Sequence, residues 1–136
     1  MYSGEINYIL KSIPGFVGVF PRDKVPKPRY LPSFYVVNYD SSAEPGEHWV
    51  AIHLDAEGRG EYFDPFGLPP LHPQIRKFMQ SYCKQWQFSV KDIQHAQSIK
   101  CGSYCISFVK QRSRGVPYRV ILEQFERASL CNDWKV

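Results

Sequence analysis

Hydrophobic and polar positions change period several times along the chain, and each change marks an element. Ile6, Ile9, Leu10 and Ile13 recur at i, i+3, i+4 and i+7. That is the stripe of a short amphipathic helix, which Ser3 can cap and Pro14-Gly15 ends. Residues 16–20 read as a brief strand. Pro21, Pro26, Pro28 and Pro32 follow, and prolines this dense remove ladder donors and predict a loop. Residues 33–39 are apolar on both faces, the pattern of a central strand. After a polar turn over 40–46, residues 48–54 and 60–64 read as two strands joined around Ala56, Glu57 and Gly58. Pro73 opens a helix with Ile75, Phe78, Met79, Tyr82 and Trp86 on one face. Alternation over 88–94 suits an edge strand. A helical apolar pattern then runs from Cys101 toward Arg114, with Gly115 as its stop. Pro117 can open a last helix carrying Val120, Ile121, Leu122 and Phe125. This order predicts one α+β domain over 1–136, a central mixed sheet flanked by helices with a cysteine at the N-terminus of a core helix.

The hydrophobic content of 43% supports a packed core and argues against disorder. No apolar run approaches the roughly 20 residues of a membrane span, so no membrane partner is expected. The start, Met-Tyr-Ser-Gly-Glu, lacks a basic region followed by an apolar one. The expected location is therefore inside a cell, in nucleus or cytoplasm, or in a particle assembled there. The net charge of +4 is spread over the chain, and a solvated surface explains it as well as a nucleic-acid partner does. Of four cysteines, Cys101 and Cys105 lie one helical turn apart, which is not a metal or redox spacing. Neither a disulfide scaffold nor a structural metal is expected.

The chemistry concentrates in three places. If the turn between the two middle strands centres on Ala56, His48 and Asp64 lie directly opposite, with Cβ atoms about 4.5–5.5 Å apart. Asp64 could then accept from the imidazole Nδ1–H, fixing the tautomer and supporting a positive ring. Cys101 begins a helix, where unpaired N–H groups favour thiolate over thiol. Gly102 leaves room for a carbonyl to approach the Cys101 N–H, and Gln94 or Gln97 could supply a second, neutral oxyanion donor. Cys105 fits a buried small hydrophobe, sharing a helical face with Phe108 and Val109. His53 points away from His48 along the strand and reads as a satisfied packing residue, and His72 and His95 receive no catalytic role.

These residues carry a resemblance. His48-Trp49 before an apolar strand, Tyr62-Phe63-Asp64-Pro65-Phe66-Gly67, and Gln94 followed by Cys101-Gly102 and Tyr104-Cys105 look like the adenoviral maturation protease family, adenain. The segment from Gly15 to Asp23 resembles adenain's amino-terminal part, so the likeness covers roughly residues 5 to 115. More distantly the chain is similar to the SUMO-specific proteases, which share the order His, Asp, Gln, Cys. The resemblance implies His48 as general base, Asp64 as its orienter, Cys101 as nucleophile and Gln94 rather than Gln97 as oxyanion donor. It implies Trp49 as a wall of the substrate cleft, with Gly46, Glu47 and Gly102 as further substrate-binding positions. Adenain proper has Glu where this chain has Asp64, and the chain is much shorter, as expected of a compact relative from another virus or virus-like element.

No cofactor is needed for the implied chemistry. Adenain's activators, a disulfide-linked peptide and DNA, enter by resemblance alone: Cys83 has the spacing of the peptide-linking cysteine, although the end of a helix explains it as well, and any DNA binding would be weak. The expectation is a monomeric cysteine endopeptidase that cuts polypeptides at Gly-containing sites, with viral capsid or core precursors as substrates. Removal of SUMO or ubiquitin-like modifiers is the alternative, and a non-catalytic binding module on the same fold is the rival from another class. An acetyltransferase would need a basic pocket for an acidic cofactor, and the sequence offers no clear candidate.

Overall fold

In the computed structural model the described residues are 3–39, 48–70, 72–90, 93 and 101–134; the side chains of residue 101 and of 128–134 are outside the description. Five strands form one sheet in the order β1 (Phe16–Pro21), β2 (Ser33–Asn38), β3 (Trp49–Leu54), β4 (Arg59–Phe63), β5 (Gln85–Phe88). The sheet is mixed, as expected: β2, β3 and β4 are antiparallel neighbours, while β1 and β5 add parallel edges. The helices are α1 (Ser3–Leu10), α2 (Pro73–Tyr82), α3 (Cys101–Ser113) and α4 (Tyr118–Trp134), with a 3₁₀ turn at Arg22–Lys24 inside the proline-rich loop.

Strand alternation divides the apolar residues between two cores. Val36, Ala51 and Phe63 meet Ile6 and Leu10 of α1, Cys105, Phe108 and Val109 of α3, and Ile121 of α4. On the other face Tyr35, Val37, Val50, Ile52 and Tyr62 meet Ile75, Phe78 and Met79 of α2. Because both faces are covered, β2 and β3 read as continuous apolar runs instead of alternating ones.

Three expectations shift. Ile9, assigned to the apolar stripe of α1, is exposed, since that helix ends at Leu10 and buries only Ile6 and Leu10. α2 stops at Tyr82, and Trp86 lies in β5, not on the helix. Cys83 takes an extended conformation, and the N–H groups of Lys84 and Gln85 donate to Gly58 O at 2.7 and 3.4 Å, which starts β5 earlier than the alternation over 88–94 predicts. Gln94 itself lies outside the described residues.

The turn between β3 and β4 sets the third. Asp55 Oδ1 accepts from the N–H groups of Glu57 and Arg59, both at 2.9 Å, and Gly58 takes φ +85°. This is a three-residue loop with glycine at its left-handed position, so its centre is Glu57, not Ala56. His53 therefore pairs with Glu61 and Ala51 with Phe63, each partner two residues further along β4 than a centre at Ala56 would give.

Gly60 sits where β4 passes α2. A Cβ added there would overlap Cys83 Sγ and lie 3.0 Å from Met79 Cε. We predict that Gly60→Ala destabilises the fold by about 1–3 kcal/mol through overpacking. Thermal denaturation should show a melting temperature several degrees lower, partly recovered in the Gly60→Ala/Cys83→Ala double variant. A melting temperature unchanged by Gly60→Ala would refute the contact.

Candidate active site

His48 lies immediately before β3 and Asp64 immediately after β4, at the same end of the hairpin. The observed register makes them diagonal neighbours on one face, where side chains of this length still reach each other. His48 Nε2 is 3.0 Å from Asp64 Oδ2. A carboxylate only accepts, so Nε2 carries the proton. This corrects the expected Nδ1 contact: the diagonal approach presents the far nitrogen of the ring to Asp64 and leaves Nδ1 on the side away from that carboxylate.

Asp64 is held by the turn that it begins. Asp64, Pro65, Phe66 and Gly67 occupy the positions of a β-turn that favour those residues, and Gly67 N donates to Asp64 O at 2.8 Å. Asp64 Oδ1 accepts from Phe66 N at 2.8 Å, so each carboxylate oxygen has a donor. The residue is 1% exposed, whereas the His48 side chain keeps 17% of its surface. A buried carboxylate with both oxygens engaged is a rigid support for an imidazole that still meets solvent.

Two rings contact His48. Phe66 stacks on it with centroids 4.8 Å apart and planes at 29°, and Tyr39 meets it at 5.4 Å and 70°. A turn centred on Ala56 predicts neither contact. In the register centred on Glu57, position 66 falls opposite 48, so a correct turn assignment would have found Phe66.

Trp49 does not wall a cleft. It is 4% exposed and belongs to the core shared with α1 and α3, because strand alternation sends its side chain to the face opposite His48. Gly102 is buried in the first turn of α3. Gly46, Glu47 and Gln94 lie outside the described residues, as does the side chain of Cys101. Ile93 is described: it is buried, and its N–H donates to Pro65 O at 3.1 Å, tying the residue before Gln94 to the turn that holds Asp64. Cys83 packs near Gly60, and burial, with the Asp55 carboxylate adding, pushes its thiol up to about 11. At neutral pH it is a protonated, weakly nucleophilic thiol.

Cys101 is the first residue of α3, and a second histidine–carboxylate pair orients that helix. His53 Nδ1 is 2.9 Å from Glu61 Oε1, and Arg112 donates to the same carboxylate through Nε at 2.8 Å and Nη2 at 3.2 Å. Gln87 adds a longer contact at 3.3 Å. From this latch α3 runs back about 16 Å to Cys101, and β3 runs back about 17 Å to His48. α3 packs against β3, with Cys101 as the first residue of the helix. A groove of about 580 Å³ beside the latch is lined by Glu61, Phe88, Arg112, Tyr118 and Leu122.

No protein-family model matches the chain. It is 33% identical over 94 residues to a cysteine protease of African swine fever virus, covering 61% of this chain and 34% of that protein. Another isolate's homologue, named as a SUMO-1 cysteine protease, is 32% identical over the same length. A protein of Acanthamoeba polyphaga mimivirus named as a thiol protease is 26% identical over 110 residues, covering 72% of this chain and 36% of its own. The crystal structure of the African swine fever virus protease superposes with a TM-score of 0.52 at 23% identity, over 71% of this chain and 43% of that one. The fold is that of a viral cysteine protease. The central domain of an uncharacterized protein from Legionella pneumophila shares it, with a TM-score of 0.58 at 16% identity, over 93% of this chain and 85% of that one. The chain spans about a third of the length of the curated relatives it matches. The similarity is to viral cysteine proteases of these groups, so the likeness to adenain holds at that coarser level and not for adenain in particular.

The latch also makes stability depend on acid. Burial raises the Glu61 carboxyl, but the hydrogen bond to His53 and the hydrogen bonds and charge of Arg112 outweigh it, and the group lies below the usual carboxylate range. A depressed folded value gives stability that is complete above the unfolded value of about 4.3 and is lost as pH falls through the folded one. We predict that Glu61→Gln loses about 3 kcal/mol at pH 7, because it leaves Arg112 without its counter-charge. The gap from wild type should close below about pH 4, measured by urea denaturation at each pH. A gap that stays constant down to pH 3 would exclude Glu61 as the acid-sensitive group.

Proposed function

We propose that the chain is a cysteine protease domain in which Cys101 attacks a peptide carbonyl and His48 moves the protons. The observation that carries this reading is the His48 Nε2–Asp64 Oδ2 bond of 3.0 Å, beside which the proposal puts Cys101, the first residue of α3. In the neutral ring Nε2–H is engaged by Asp64, and Nδ1 is the nitrogen with a lone pair to take the thiol proton. The resulting imidazolium is supported by the carboxylate, and the thiolate by the N-terminus of a 13-residue helix. Attack forms the Cys101 Sγ–C bond and a tetrahedral oxyanion. Collapse expels the amine, which takes the proton from His48, and water then hydrolyses the thioester with His48 again as base.

Gln94 is proposed as the side-chain oxyanion donor beside the Cys101 N–H. The anchoring of Ile93 on Pro65 supports this, since it holds the preceding residue against the turn containing Asp64. Substrates would be polypeptides cut after or near glycine, with viral capsid or core precursors as the biological targets. One relative's name, SUMO-1 cysteine protease, favours a second reading, release of a ubiquitin-like modifier from its Gly-Gly terminus. Peptide or DNA activators remain proposals by resemblance. For the peptide, disulfide linkage through Cys83 would require that thiol to leave its packing beside Gly60.

A test needs no knowledge of the natural substrate. Iodoacetamide labelling read by mass spectrometry at pH 6 should modify Cys101 much faster than Cys83 or Cys131, and His48→Ala should abolish the difference. On a fluorogenic peptide ending in Gly-Gly, Cys101→Ala should eliminate turnover, and Asp64→Asn should lower kcat/KM by about 10²–10⁴. Equal labelling of all exposed thiols in the wild type, with no turnover of peptide or modifier substrates, would refute the enzyme reading.

A further inference from the structure

We infer that Tyr39 and Phe66 are positioning residues that clamp the His48 imidazole in the ring orientation and tautomer its chemistry requires. This rests on the cysteine-protease reading of His48 and Cys101. Rotation of the His48 ring about its Cβ–Cγ bond would carry Nε2 away from Asp64 and Nδ1 away from a thiol. Phe66 covers one face of the ring at 4.8 Å and 29°, and Tyr39 meets it nearly at right angles at 5.4 Å. A face contact and a perpendicular contact together block rotation in both senses.

Each member of the clamp is tied through its backbone to the residue it serves. Tyr39 N donates to His48 O at 2.7 Å, and Phe66 N donates to Asp64 Oδ1 at 2.8 Å. Tyr39 is braced from behind as well: its carbonyl accepts from Arg22 Nη1 at 2.6 Å, and Arg22 Nε donates to Gln74 Oε1 of α2 at 3.2 Å. A shift of either ring would therefore move the histidine or the aspartate with it.

The clamp also acts on charge. A π face over the imidazole favours its protonated form, and an aromatic cover keeps water from competing for the Nε2–Asp64 bond. The titratable groups around His48 are Asp64 after β4, Tyr39 after β2, and His72 at the N-cap of α2, whose ring meets Tyr39 at 6.2 Å. Cys101 of α3 is the proposed proton donor. Asp64 and the two clamp rings contact the imidazole directly.

The experiment uses the full chain labelled with ¹⁵N-histidine. Long-range ¹H–¹⁵N spectra between pH 5 and 9 report the tautomer and titration of His48, and iodoacetamide labelling reports Cys101. In Phe66→Leu and Tyr39→Leu the Nε2–H tautomer should lose population, the His48 titration should move to lower pH, and Cys101 labelling at pH 6 should slow about tenfold. Phe66→Tyr and Tyr39→Phe keep the rings and should remain within about twofold of wild type, which separates the clamp from general loss of fold. His48 spectra unchanged in both leucine variants would overturn the inference. So would equal damage from the ring-keeping and ring-removing changes. Slow labelling of Cys101 in the wild type would instead count against the protease reading, while the His48 spectra still decide the clamp.

Discussion

The pairing of β3 with β4 about Glu57 is the constraint on which the rest depends. Asp55 fixes it by accepting from Glu57 and Arg59, and Gly58 supplies the positive φ that closes the loop in three residues. Given that centre, His53 faces Glu61, Asp64 comes within diagonal reach of His48, and Phe66 falls opposite His48. A different loop length would send every side chain of one strand to the wrong partner or the wrong face. The turn lies at the far end of the hairpin from His48 and Asp64, so a local choice among residues 55–59 sets which side chains meet five to seven residues away along each strand.

Covering both faces of the sheet has a cost, because polar groups in β3 and β4 must then find partners inside the protein. Glu61 does so with His53, Arg112 and Gln87, and the Tyr118 hydroxyl donates to Tyr62 O at 2.6 Å. Arrangements like the Glu61 cluster seldom add much net stability over an apolar filling, since desolvation consumes the Coulombic gain. What it does supply is orientation. Apolar packing of α3 on the sheet tolerates small slides of the helix, whereas a two-donor contact from Arg112 to one carboxylate tolerates almost none.

Most of the architecture was legible because it rests on period. The doubly apolar runs of β2 and β3, the prolines at positions 73 and 117, and the glycine at 115 each have one reading, and the mixed sheet with flanking helices follows. The errors arose where period is silent. Trp86 continues the spacing of α2, yet the backbone had already turned extended at Cys83 to let Lys84 and Gln85 bond Gly58. That is a tertiary decision which no local pattern records. Candidate residues His48, Asp64 and Cys101 were named from residue type and resemblance, and the structure brings His48 and Asp64 together by a diagonal instead of the direct pairing expected. The misplaced centre also hid Phe66 and the His53–Glu61 pair, since in the expected register neither has its observed partner. Trp49 was misread because resemblance overrode alternation: a residue next to His48 on a strand must point to the other face.

The hairpin carries two histidine–carboxylate pairs on opposite faces, and comparing them shows what separates a structural pair from one suited to chemistry. His53 stacks almost parallel on Phe34 at 4.4 Å, and both oxygens of its partner Glu61 are held by other side chains, among them a guanidinium. Its side chain is 7% exposed. Arg112 shares the Glu61 carboxylate with His53, so the negative charge there is already met by a cation. His48 has the same kind of partner but a different third group. Asp64 is engaged by a neutral backbone N–H from Phe66, which orients the carboxylate without spending its charge, and that charge remains directed at the ring. The His48 side chain is also the more exposed of the two, at 17%. The two pairs therefore differ in what binds the far side of each carboxylate: a cation makes a latch of Glu61, and a backbone amide leaves the Asp64 charge facing His48, as the proposed base requires.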